Sequence, residues 1–182
     1  MARRGRIAAV IGGLAVLGAG ALVLADYLQL SRTEPRIAAE PERADRVLVE
    51  KAARRLTLLR QGRVLATYPV SLGFAPEGHK AREGDGRTPE GVYAIAFRNP
   101  RSVAHLSLKV SYPSPADEAA ARAGGYAPGG DIMIHGLMNG FSWLGGLHRW
   151  MDWTQGCVGV TNAEMRAIYA RVDVGTPIEI KP

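Results

Sequence analysis

Apolar and polar residues alternate in short runs along most of the chain from residue 46 onward, the signature of strands with one face buried. Val47, Leu48 and Val49 form the first run, Leu56, Leu58 and Leu59 mark the second within residues 55–60, and residues 64–70 form the third. Gln61 and Gly62 separate the second run from the third, so the pattern predicts short strands with at least one hairpin. Residues 71–87 break the alternation with Pro76, Gly78, Gly84, Gly86 and many charges, which predicts a long loop on the rim of a sheet. Alternation returns over 91–97, with Thr88 and Pro89 shaping the approach to it. It returns again over 106–112, where Leu106, Leu108 and Val110 share one face and Ser107, Lys109 and Ser111 the other. That last run predicts a strand buried on one face only.

Two stretches read as helices instead. Residues 116–123 are alanine-rich and stop at Gly124 and Gly125. Further on, Thr161 and Glu164 have the spacing of a capping box, in which hydroxyl and carboxylate each satisfy an amide at a helix start. Met165, Ile168, Tyr169 and Val172 then fall at i, i+3, i+4 and i+7, the stripe of a helix lying on a sheet over residues 162–172. Gly175 ends the turn and residues 176–180 form a last strand. The fold expected for residues 46–182 is mainly β with one or two short packed helices.

The amino-terminal part has a different pattern. Residues 7–25 run nineteen positions without a charge, preceded by Arg3, Arg4 and Arg6. A spanning helix needs about 20 apolar residues and a signal-peptide core about 7–15, so the length predicts a single transmembrane helix in the inner membrane. The rival reading is a cleaved signal, with Val23, Leu24 and Ala25 as a tolerable cleavage site. Either way the arginines stay in the cytoplasm and the rest of the chain is exported, to the periplasm or beyond the cytoplasm. Residues 26–45 mix Arg, Glu, Pro and Ala, and Pro35 and Pro41 disfavour a continuous helix, so this stretch reads as a tether. With 182 residues, the chain has room for this appendage and one globular domain. The net charge is +6, but beyond residue 25 there are 20 basic residues against 17 acidic ones, too even for a nucleic-acid footprint.

Candidate chemistry concentrates in residues 131–162, which hold the chain's one cysteine, Cys157, and two of its four histidines. A lone cysteine is a buried small hydrophobe, half of an intermolecular bridge, or a working thiol. Gly156 before it and Gly159 after it leave the backbone lightly covered, and an exported chain tends to pair or lose its cysteines, so the working thiol is favoured. A thiol needs a base or a positive environment to act as thiolate. His135 follows Ile132, Met133 and Ile134 as a residue ending a buried strand does, whereas His148 lies in a looser glycine-rich stretch, so His135 is the expected base. His79 reads as a solvated loop residue, and His105, at the start of a strand, as a residue that could line a substrate cleft. Trp143, Trp150 and Trp153 lie between His135 and Cys157 and read both as core anchors of a lid and as a surface for substrate, with Asn139 and Ser142 as further donors there. A metal site is not expected, since zinc wants three or four ligands at closer spacings. Asp131 and Asp152 have no spacing that marks an acid–base pair, and residues 84–86 lack the ending of a nucleotide loop.

The order His135-Gly136, a loop, then Thr154, Gly156 and Cys157 resembles the catalytic motif of the L,D-transpeptidases, the YkuD-type cysteine enzymes that remodel bacterial peptidoglycan. Residues 83–95 resemble the family's glycine-rich turn, Thr-Pro-x-Gly and following strand, and the likeness runs over about residues 46–181. Two positions depart from the family pattern: Gln155 stands where a histidine is common, and Gly159 where an arginine is common. The separation of His135 from Cys157, 22 positions, is also a little longer than usual.

The resemblance implies an L,D-transpeptidase-like β-sandwich that needs no cofactor and acts on peptidoglycan stem peptides. In such enzymes the thiolate attacks the carbonyl of the third residue of a tetrapeptide stem, expels the terminal D-alanine and passes the acyl group to an amine of another stem. On that pattern Cys157 is the nucleophile, His135 the general base, the amides near Gly156 and Cys157 part of the oxyanion hole, and Thr154, Gln155, Trp153, Asn139 and His105 candidates for substrate contact. Two other functions fit the same residues: a hydrolase that gives the thioester to water, and a non-catalytic peptidoglycan-binding domain in which Cys157 only packs.

Overall fold

The computed structural model describes residues 18, 20, 21, 23–25, 28 and 33–182. Most of the apolar stretch 7–25 lies outside the described residues, and among those described no helix is long and apolar enough to cross a membrane.

Strands β1 (Arg46–Glu50), β2 (Arg55–Arg60) and β3 (Arg63–Pro69) form an antiparallel meander. Gln61 and Gly62 turn the chain between β2 and β3 with φ of 49° and 76°, the two left-handed positions of a two-residue hairpin whose twist matches the strands. The carboxy-terminal strand β8 (Pro177–Lys181) enters between β1, to which it is parallel, and β4 (Gly91–Ser102), to which it is antiparallel. Ile178 and Ile180 point inward from it. The order across the whole sheet is β3-β2-β1-β8-β4-β5-β6-β7.

β4 is longer than the alternation predicts. Its first residues, 91–94, pair with β8 and its remainder pairs with β5 (His105–Val110), with register shifts between Ile95 and Phe97 and between Asn99 and Ser102. Such irregularities bend a strand, and β4 thereby carries the chain from one half of the sheet to the other. The halves share one core, in which Val47, Leu56, Ile95, Leu108, Ile134, Val158 and Ile178 are buried together.

β5 departs from the expected half-buried strand. Leu106, Leu108 and Val110 are buried as predicted, but Ser107 is buried as well. β5 lies between β4 and β6 (Met133–His135), and Ser107 sits directly opposite His135 on β6, so a covered face, not solvent, receives it.

Helix α1 (Pro115–Ala123) begins with a capping box between Ser114 and Asp117. Helix α2 (Asn162–Arg171) begins with the predicted box between Thr161 and Glu164 and buries Met165, Ile168 and Tyr169 against β5 and β6. The composition of 26–45 predicts a tether; its part from Thr33 onward lies along α2. Arg166 Nη1 donates to Thr33 O at 3.0 Å, Ala38 N to Ala170 O at 2.7 Å, and Ala44 N to Arg171 O at 2.8 Å.

β7 (Val158–Gly159) is the short last strand, and its outer edge does not stay open. Ser71, just past β3, exchanges both backbone hydrogen bonds with Gly159, at 2.9 and 2.8 Å, and Phe74 N donates to Thr154 O at 2.9 Å. The long loop therefore begins as a partner of the strand that carries the cysteine, which protects an edge that would otherwise pair with another chain.

Candidate active site

Strand register brings Cys157 and His135 together. β6 and β7 are parallel, with Ile134 opposite Val158 and His135 opposite Gly159. Ile134 and Val158 are fully buried in the core. Side chains alternate along a strand, so Cys157 and His135 emerge on the other face, one diagonal step apart, roughly 7–8 Å between backbone positions. Ser107 shares that face opposite His135, and its buried hydroxyl has no hydrogen-bond partner among the described residues.

The imidazole of His135 is held from two sides. Its Nδ1 lies 2.6 Å from the carbonyl oxygen of Gly136. A carbonyl only accepts, so Nδ1 carries the proton and Nε2 keeps the lone pair of the neutral ring. Burial pushes the pKa of His135 below the ordinary imidazole range, with the Gly136 carbonyl opposing. Trp153 meets the ring edge-on, centroids 5.6 Å apart at 74°.

Trp153 is itself fixed by His148. The indole Nε1–H donates to His148 Nδ1 at 3.3 Å, and Ser71 Oγ lies 3.1 Å from the same nitrogen and 3.2 Å from His148 O. An indole N–H only donates, so His148 Nδ1 is an acceptor and the proton of its neutral ring sits on Nε2. Burial, and then the neighbouring Arg149, push the pKa of His148 down to about 4. His148 therefore orients the tryptophan that orients His135. The glycine-rich stretch around it is ordered as a 3-10 segment, Ser142–Trp150, with a break at Gly145.

The Cys157 thiol is half-buried, and its Sγ donates to Asp131 O at 3.5 Å. Burial pushes its pKa up; the Met133 N–H and Lys80 pull it down, and Asp131 adds to the rise. Burial thus shifts each group toward its uncharged form, the S–H of Cys157 and the neutral imidazole of His135.

The turn before the thiol is closed by Thr154, whose Oγ1 donates to Cys157 O at 2.8 Å and accepts from Gly156 N at 3.1 Å. Gly156 has φ of 125°, and a Cβ there would stand 2.4 Å from Arg87 O, so only glycine fits. The Gly156 N–H, expected to face a substrate oxygen, is engaged inside this turn. The Cys157 N–H is the amide that remains at the thiol. Gln155 is exposed at the tip of the turn.

Other candidate residues lie elsewhere. Asn139 clips the hairpin between β4 and β5: its Oδ1 accepts from His105 N at 3.1 Å, its Nδ2 donates to Ser102 O at 3.3 Å, and its N donates to Val103 O at 2.9 Å. His105, buried with φ of 65°, packs behind Gly136. The strand register puts this end about four residue steps from Cys157, on the order of 13 Å. Of the tryptophans, Trp153 faces inward; Trp143 and Trp150 are exposed, which corrects their reading as core anchors. His79, expected to be solvated, accepts from Glu90 N at 3.0 Å and reaches Asp117 Oδ1 at 3.0 Å, joining the long loop to α1. Ser71, Ser107 and Lys80 are site neighbours that the sequence pattern did not single out. Beside His148 and Trp153 lies an apolar groove of about 380 Å³ whose walls include Leu137, Phe141, Leu147 and Trp150. Among the described residues no three His, Cys, Asp or Glu side chains converge on a common point.

The family model for the L,D-transpeptidase catalytic domain, YkuD, matches residues 44–180. The chain belongs to the YkuD L,D-transpeptidase family. Among solved structures, this YkuD domain is similar to the helical cell shape determining protein Pgp2 from Campylobacter jejuni, with 23% identity and a TM-score of 0.58 over 75% of this chain and 48% of that one. It is also similar to Bd1075 of Bdellovibrio bacteriovorus, with 22% identity and a TM-score of 0.51 over 81% and 51% of the two chains. An L,D-transpeptidase from Mycobacterium smegmatis is 17% identical with a TM-score of 0.50, over 75% and 58%. At these identities the likeness is one of fold, and the chain spans about half the length of these solved relatives. No curated protein matches it. Where the YkuD motif commonly carries arginine, the space over Gly159 is taken by Trp153, whose Cζ2 would lie 3.2 Å from a Cβ placed there.

Proposed function

We propose that this domain is an L,D-transpeptidase acting on peptidoglycan stem peptides through a thioester on Cys157, with His135 as general base. One observation carries the reading: Cys157 and His135 share one face of the β6–β7 pair, and the bond from His135 Nδ1 to Gly136 O leaves Nε2 as the basic nitrogen. A thiol and an imidazole each shifted by burial toward the uncharged form suit an attack in which the proton leaves sulfur as the sulfur–carbon bond forms.

In the proposed sequence, rotation about χ1 takes Sγ from Asp131 O toward the imidazole. Sulfur attacks the carbonyl of the third stem residue and its proton passes to His135 Nε2. The Cys157 N–H supports the negative oxygen of the tetrahedral intermediate. The bond to the terminal D-alanine breaks, and its amine leaves with the proton from Nε2. An amine of a second stem, losing a proton to His135, then attacks the thioester; the new amide forms and the thiol is restored. The segment 137–153 covers this step and limits the access of water. We place the activity outside the cytoplasm, with residues 7–25 as a single-pass inner-membrane anchor, in wall crosslinking or remodelling of the kind that bears on cell shape.

The test supplies the full chain with a tetrapeptide stem and a muropeptide acceptor and separates the products by chromatography and mass. A crosslinked product that rises with acceptor concentration is expected, with some trimmed tripeptide alongside. Tripeptide alone at every acceptor concentration makes the protein a hydrolase, and no product of either kind makes it a binding domain.

A further inference from the structure

A second cavity, of about 350 Å³, is lined by Ala75, Ala81, Arg82, Asp85, Arg87 and Tyr126. Two chain segments that line it run on to contacts with the cysteine turn. One is the loop that ends at Arg87, whose carbonyl lies against Gly156. The other starts at Tyr126 and reaches Asp131, whose carbonyl accepts from Sγ.

The cavity's carboxylate is already committed. Asp85 accepts from the backbone N–H groups of Ala81, Arg82 and Arg87 at 2.8, 3.0 and 3.0 Å and from Lys80 Nζ at 2.9 Å. Burial opposes its ionisation, but these donors prevail and hold its pKa at about 2. Lys80, buried beside it, balances its charge. The two arginines are different. Both are exposed, and among the described residues neither guanidinium is paired with a carboxylate; Arg87 Nη1 reaches the carbonyl of His79, at 3.4 Å. Two guanidiniums unpaired with a carboxylate at one cavity suit a carboxylate ligand, since the planar fork of arginine matches a carboxylate with two parallel bonds. The opposite flank offers no equivalent, because Trp153 stands over Gly159 and the groove there is apolar.

We propose that Arg82 and Arg87 form a subsite for a carboxylate of the acyl-donor peptide, on the loop side of Cys157. The identity of the donor rests on the transpeptidase reading; the subsite rests on the cavity. Arg87 is tied through its own carbonyl to the turn that carries the thiol, so a donor held there has its position set relative to sulfur.

The test compares turnover by the full chain of a tetrapeptide stem with ionised carboxylates and of the same stem amidated at them. In the Arg82→Gln/Arg87→Gln variant, KM for the ionised stem rises about tenfold or more with kcat little changed, the scale of lost charged hydrogen bonds. Amidation costs the wild type a similar factor and the variant nothing further, and Arg87→Lys, which keeps charge but loses the fork, falls between. An unchanged KM, or an equal loss on amidation in both proteins, overturns the subsite while leaving the transpeptidase reading intact. A second arm needs no turnover: calorimetric binding of the ionised stem to Cys157→Ala protein, with and without the two glutamine substitutions. Binding about tenfold weaker without the arginines upholds the subsite even where no product forms and the transpeptidase reading falls. Equal binding overturns it.

Discussion

On one side of Cys157, the loop of residues 71–87 is organised from within: Asp85 gathers three backbone amides and the buried Lys80, and buried Lys51 donates to Gly78 O, Thr88 O and Glu90. On the other side, residues 137–153 are held toward both ends: at the start by Leu137 N–H on Asn162 and by Asn139 on Ser102, Val103 and His105. At the finish they are held by Arg149 on Glu164, by His148 on Ser71, and by Asp152, which takes Arg54 and the N–H of Leu72. Between those ties the second flank presents apolar side chains to water, with Trp150 84% and Trp143 66% exposed. A flank whose polar groups satisfy one another keeps a fixed shape and leaves its arginines open to a ligand. A flank tied toward its two ends, with exposed apolar side chains between them, has more freedom to adjust to an apolar ligand. The thiol thus sits between a preformed polar wall and an adjustable apolar cover.

The comparison breaks most visibly at Asp85. Asp85→Asn leaves Lys80 buried without its counter-charge, and breaking such a pair costs about 3–5 kcal/mol. Denaturant unfolding measures this, and a loss of under about 1 kcal/mol would show that the loop does not depend on its internal charges. Asp152→Ala is the matching change on the other flank. Because Arg54 is partly exposed, the expected loss is smaller, about 1–2 kcal/mol. Its mark is local: hydrogen exchange quickens over 142–153 and stays unchanged over 80–87.

A third effect separates the flanks by pH. His148 has its folded pKa lowered from 6.5 to about 4, so as pH falls from 6.5 the unfolded chain takes up a proton that the native site refuses. Stability is lost through that window and levels off below about 4, and His135, also lowered, adds in the same direction. Asp85 stays ionised until about pH 2, so the loop flank holds over the same range. The melting temperature should fall between pH 6.5 and 4, and fall less in His148→Gln. Equal slopes in the two proteins would remove His148 as the acid-sensitive tie.

Where a local rule governed, the sequence was a good guide. The box of Thr161 and Glu164 and the stripe from Met165 to Val172 marked α2 because a helix on a sheet needs little beyond its own spacing. Alternation found most of the strands, and the isoleucine–methionine run before His135 located the strand end that fixes the imidazole. What stayed hidden was set by distant partners. Ser107 reads as a solvent-facing residue until β6 places His135 against it, and His148 reads as a loose loop histidine until Trp153 and Ser71 meet it. Nothing near Gly156 shows that its amide is taken by Thr154, although the threonine two positions earlier is the signal that could have raised it. The arginines at 82 and 87 look like loop charges until the chain folds them around Asp85 and beside the cysteine turn.

The most direct test of the central claim is intact-mass analysis of the full chain after brief incubation with a tetrapeptide stem. The account predicts an adduct equal to the stem less its terminal D-alanine, mapped to Cys157, absent from Cys157→Ala, and formed far more slowly in His135→Ala than in His148→Gln. Contradiction would come from a wild-type protein that binds the stem and never gains mass, or from a Cys157→Ala protein that still releases D-alanine.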